Sequence, residues 1–148
     1  MKTSAFATTV FASLAAAASP YWYITNLQSL DTTSPTGEST LRFTFEDAST
    51  SLVTNCSYVN VPGSARPVTV LTPTPCENSQ VLYTYIKTSQ KTGQFNITLQ
   101  HLNAAGNLQG NQYGLGIADL ACQADEAQGS TACFAANTEI IPGPETGA

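Results

Sequence analysis

The chain has 148 residues and a mass of 15.5 kDa, with 42% apolar residues and a mean hydropathy of -0.05, which is the size and material of one packed domain. Only 10% of residues are charged, five basic against ten acidic for a net charge of -5, where ordinary soluble proteins carry about 25%. That balance argues against nucleic acid and anionic membranes as partners, and a single His and a single Trp leave little material for acid–base or metal chemistry.

Residues 1–18 read as a sorting signal. Lys2 is followed by an apolar run over 6–18, and Ala16 and Ala18 stand at the small-residue positions that a signal peptidase reads. Cleavage is expected after Ala18, with Ala17 the nearest alternative. The run is too short to span ~30 Å of hydrocarbon. The expectation is a secreted, extracellular chain whose folded part is one β-rich domain over 19–148, with a flexible tail from about 142. Export also sets how the cysteines read. Cys56, Cys76, Cys122 and Cys133 make an even number in an oxidising route. Short loops favour Cys56–Cys76 and Cys122–Cys133, each contributing about 3 kcal/mol in the chain-entropy account. Zinc-type spacing is absent.

The elements that follow read as β almost throughout. Residues 21–27 (YWYITNL) are aromatic and β-branched, a first strand. Leu41, Phe43 and Phe45 alternate with Arg42, Thr44 and Glu46, the clearest period-2 signal in the chain. Residues 52–58 predict a third strand. The proline-rich 60–75 stretch is loop around a short edge strand at 68–71, where proline is tolerated. Residues 81–87 (VLYTYIK) are apolar on both faces, and a turn at 89–93 returns the chain as a strand over 94–102, a hairpin. Residues 103–116 read as a loop entering a strand near Leu115, 118–127 as a short helix, and 134–141 as a last strand. The fold class is therefore all-β with little helix: a disulfide-braced antiparallel barrel or sandwich of about seven or eight or more short strands.

Motifs for chemistry are mostly missing. No GxSxG, HExxH or P-loop occurs. Gly114-Leu115-Gly116 opens like a dinucleotide fingerprint, but Asp119 stands where its third glycine belongs, so a turn is expected. His101, at a strand end, reads as a surface residue, since a catalytic base needs a partner brought by the fold. Glu46-Asp47 and Asp125-Glu126 read as solvated turn pairs, because neighbours on a strand face opposite ways. Asp119, Asp125 and Glu126 miss the spacing of a calcium loop. A small ribonuclease would draw on Arg42, Glu46, Glu77, Arg66 and His101, with nothing in the spacing to bring them together. No cofactor is expected, and no catalytic or metal-binding residue is assigned. Trp22, Tyr83 and Tyr85 are candidates for stacking on sugar rings, against a simpler role filling the core. Two sequons occur, at Asn55 and Asn96. Cys56 in the first hinders modification, whereas strand parity turns Asn96 to solvent, opposite Phe95 and Ile97.

Taken together, the leader, the early Trp22-Tyr23-Ile24 strand, Leu41-Arg42-Phe43-Thr44-Phe45 followed by Cys56, Pro75-Cys76 ahead of an aromatic strand, and a late cysteine pair resemble the small secreted fungal proteins typified by the Alternaria major allergen. The resemblance implies a disulfide-braced β-barrel without a known catalytic site. It also implies allergen-like or effector- and elicitor-like roles in binding plant host extracellular proteins or small phenolic ligands. The allergen dimerises through an extra cysteine near its N-terminus. This chain has none over 19–55, so a covalent dimer of that type is not expected. The functional expectation is a non-enzymatic binding protein, set against a cell-wall carbohydrate module and a small hydrolase.

Overall fold

A computed structural model describes residues 21–60, 68–87 and 94–143. The expected leader over 1–18, the turn at 89–93, Arg66 and the end of the tail lie outside the described residues.

Alternating apolar residues give one-sided strands, and these strands stack into two antiparallel layers. In chain order they are β1 (Trp22–Thr32), β2 (Thr40–Asp47), β3 (Leu52–Val59), β4 (Thr69–Pro75), β5 (Val81–Lys87), β6 (Gln94–Leu102), β7 (Leu108–Asp125), β8 (Ser130–Ala135) and β9 (Thr138–Ile140). The hydrogen-bonded order is β3-β2-β1-β8-β7-β6-β5-β4, with β9 also on β1. β7 belongs to both layers. Its residues through Asp119 pair with β6, and from Leu120 on they pair with β8. Sheet A is thus β3-β2-β1 with β8, β9 and the second half of β7, and sheet B is the first half of β7 with β6, β5 and β4.

The path is a sandwich and not a closed barrel. β3 and β4 remain unpaired edges, and they are tied across the gap by the Cys56–Cys76 disulfide and by Glu77 N–H donating to the Asn55 carbonyl at 2.9 Å. Between the sheets lie Trp22, Ile24, Phe43 and Phe45 from one side and Tyr83, Tyr85, Phe95, Ile97 and Leu99 from the other, all essentially buried. Phe43 meets Tyr83 edge to face at 5.0 Å, and the Tyr83 hydroxyl donates to the Ser57 carbonyl at 2.9 Å. Each contact is a rivet between layers.

Several expectations change. The first strand runs past Leu27 to Thr32 because Asn26, at a positive φ of 54°, makes a bulge, a backbone region that Asn tolerates. The bulge moves the buried positions from Trp22 and Ile24 to Leu27 and Ser29. No helix forms over 118–127. The alanine and glutamine content favours one locally, but Leu120–Asp125 pairs residue for residue with β8, and Cys122 is bonded to Cys133 directly opposite, so tertiary pairing overrides propensity. The loop before β7 shrinks to 103–107, closed by Asn103 Oδ1 accepting from Ala105 and Asn107 N–H and by Gly106 at φ 78°. Gly114 and Gly116 are strand residues, not a turn. A Cβ on Gly114 would stand 2.9 Å from Trp22 and Ile140, and one on Gly116 2.8 Å from Ile97, so glycine lets β7 lie close over the core. The expected last strand is two, β8 and β9. The 81–87/94–102 hairpin and the proline-bearing edge strand stand as read, the latter extended to Pro75.

Candidate functional site

The outer face of sheet A carries a cleft of about 440 Å³ in which polar side chains stand beside Tyr58 and Val59. The β1 bulge places Asn26 and Gln28 both on this face. Register then sets Gln28 beside Arg42 and Arg42 beside Ser57, with Thr44 beside Asn55 in the next row. Glu77, just past the disulfide, closes one end. Thr44 Oγ1 donates to Asn55 Oδ1 at 3.2 Å, and Asn55 Nδ2 donates to Glu77 Oε2 at 3.3 Å, a chain that fixes one wall. Arg42 is exposed and has no carboxylate partner among the described residues. An unpaired guanidinium beside amides and hydroxyls offers hydrogen bonds to an oxygen-rich ligand. Sequence reasoning missed Asn26, Gln28, Thr44 and Ser57; the break in the apolar alternation at Asn26 was the available signal.

His101 is not a surface residue. It closes β6 opposite Val81, 9% exposed, with Nδ1 2.9 Å from Asp47 Oδ2 at the end of β2. Its ring lies 6.4 Å from Trp22 and 6.4 Å from Phe45. Asp47, expected in solvent, is 2% exposed. Its Oδ1 accepts from the backbone N–H and the hydroxyl of Ser49, which caps the β2–β3 turn. Burial pushes the Asp47 carboxyl up, but the hydrogen bonds from Ser49, His101 and Thr50 together hold it below its ordinary value of 3.8. The Asp47-x-Ser49 turn is readable in sequence. Its pairing with a histidine 54 positions away is not. The neighbouring Glu46 is half-buried and stands in register with Tyr23 and Val53.

Trp22, Tyr83 and Tyr85 are at most 2% exposed, so they fill the core and present no face to a sugar. Arg42 and Glu77 share the cleft, whereas His101 stands between the sheets, so the ribonuclease set does not converge. Asp125 and Glu126 are exposed as expected, with Asp125 accepting from Gln128 N–H. Among the described residues no three His, Cys, Asp or Glu side chains group to hold a metal. A part-buried ion pair joins Lys87 Nζ to Asp31 Oδ2 at 2.9 Å, and Asp31 Oδ1 accepts from Val68 N–H, tying β1 to β5 and to the start of β4. The disulfides pair by the short loops, Cys56–Cys76 and Cys122–Cys133. Two such intramolecular bonds are typical of extracellular proteins.

No protein-family model matches the chain, and no similar curated protein or solved structure is found.

Proposed function

We propose that the protein is an extracellular, non-enzymatic binding protein of the allergen- or effector-like kind, and that the sheet A cleft is its binding surface. The cleft carries the reading: a concave, hydrogen-bonding face with an unpaired arginine, built on rigid strands that neighbouring disulfide and amide contacts hold in place. An oxygen-rich ligand suits this lining, either a small phenolic or a polar segment of a host protein. The burial of His101 and Asp47 beside Trp22 and Phe45 supports a structural role for them. The leader-like residues 1–18 and the paired cysteines support an extracellular location.

Arg42 is the test residue. It is exposed, so Arg42→Ala leaves thermal stability within about 0.5 kcal/mol of wild type. Titration of polyhydroxylated phenolics or plant apoplastic protein fractions, followed by amide chemical shifts, is expected to move Gln28, Thr44 and Ser57 in wild type and to lose that response in Arg42→Ala. Shifts confined to other faces, or unchanged by the substitution, overturn the cleft as the binding surface.

A further inference from the structure

Sheet B turns an outer face to solvent that carries exposed apolar side chains. Ile86 on β5 is 40% exposed, Leu115 on β7 52% and Leu71 on β4 72%. Asn96 sits among them. Phe95, Ile97 and Leu99 alternate inward at 0% exposure, so Asn96 projects outward from β6, in register with Ile86 on one side and Ile117 on the other. The next row on that face is Thr84–Thr98–Leu115, with the Thr84 and Thr98 hydroxyls hydrogen-bonded to each other. Asn96 opens the sequon Asn96-Ile97-Thr98.

We propose that Asn96 carries an N-linked glycan and that this glycan covers the apolar outer face of sheet B. The proposal rests on the extracellular reading, because only the secretory route supplies the donor. There the Asn96 Nδ2 bonds to the anomeric carbon of a lipid-pyrophosphate oligosaccharide. The C–O bond to the pyrophosphate breaks, the pyrophosphate leaves with the electron pair, and the amide gives up one proton. Three observations converge on this position. The side chain points away from the core, its amide has no hydrogen-bond partner among the described residues, and exposed Ile86 lies directly across the ladder at about 5 Å with Leu115 on the diagonal at about 8 Å. A sugar chain rooted there lies over these apolar groups. The other sequon also faces outward but its amide is engaged: Asn55 Nδ2 already donates to Glu77, Asn55 Oδ1 accepts from Thr44, and Cys56 is bonded to Cys76. A glycan at Asn55 would also fill the proposed binding cleft. The two outer faces thus divide the work, one left bare to bind and one covered.

The test is secretion of the full chain from yeast, once with its own first 18 residues and once behind a yeast secretion leader, followed by glycopeptide mass spectrometry and light scattering. The expected result is a glycan on the Asn96 peptide and none on the Asn55 peptide. Asn96→Gln is expected to lose that mass and to self-associate, raising the weight-average mass roughly twofold, the change a face-to-face dimer gives. Thr98→Ser keeps the sequon and is expected to behave as wild type. Retention in the cell with the chain's own leader overturns the extracellular reading, while the second leader still decides the glycan. An exported chain bare at Asn96 overturns the proposal. A bare Asn96→Gln chain that stays monomeric overturns the covering role.

Discussion

Asp47 links a turn and two sheets. It ends β2, caps the following turn through Ser49, and reaches His101 on the opposite sheet. Because its folded pKa lies below 3.8, its contribution to stability is present above that value and is lost as pH falls through the lower folded value. Asp47→Asn keeps the shape and removes the charge. It is expected to cost about 2 kcal/mol at neutral pH, in line with hydrogen bonds to charged groups. The gap from wild type should close progressively in acid below pH 3.8. Urea unfolding midpoints measured between neutral and acid pH check this, and a gap independent of pH would assign the pair no electrostatic role. The sequence could not offer this pair, since adjacency in the chain says nothing about which residue of a distant strand comes into register.

At the level of elements, legibility followed one-sided burial. Leu41, Phe43 and Phe45 print their strand plainly because one face of β2 meets the core and the other meets water, and Phe95, Ile97 and Leu99 do the same for β6. β7 prints nothing comparable. Its partner changes from β6 to β8 at Leu120, its inward positions Gly114 and Gly116 are glycines chosen for close approach, and its last residues carry helix-favouring alanine and glutamine. The cleft was hidden for a related reason, since its polar residues come from three strands aligned by a bulge and from Glu77 beyond β4. The two disulfides also differ as elements. Cys122–Cys133 links strands already zipped by backbone bonds, whereas Cys56–Cys76 fastens two edges held otherwise by few contacts. Replacing either pair by alanine is expected to cost about 3 kcal/mol. Only loss of Cys56–Cys76 should speed amide hydrogen exchange selectively along β3 and β4. Equal acceleration from both replacements would show that the edges are held by the rest of the sandwich.

For the whole molecule, two buried tyrosines stand in the core between the layers. Burial raises the Tyr83 hydroxyl to about 12, with Tyr58 adding to the shift. Burial likewise raises Tyr85 to about 12, with Asp31 adding to it and Ser29 pulling the other way. An unfolded tyrosine ionises near 10.0. The folded chain therefore holds these protons longer than the unfolded one, so stability is full below pH 10 and is lost as pH rises toward 12. Two of the six tyrosines are expected to ionise only together with the loss of near-ultraviolet circular dichroism. Tyrosinate absorbance complete before any structural change would contradict the buried placement.

The position of β1 sets a timetable for the newborn chain. Among the described strands β1 emerges first, yet its second flank is filled by Ser130–Ala135 and Thr138–Ile140, which emerge more than 90 residues later. β1, β2 and β3 can zip locally as they emerge, and so can the β5–β6 hairpin, but one side of β1 stays bare until Thr138–Ile140 is out. Pairings this distant in sequence make folding slow, and an open strand edge invites pairing with other chains in the meantime. Chains cut short before Ser130 would be held permanently at that stage, with the β1 edge unsatisfied, and a ribosome that pauses late leaves them there for as long as it waits.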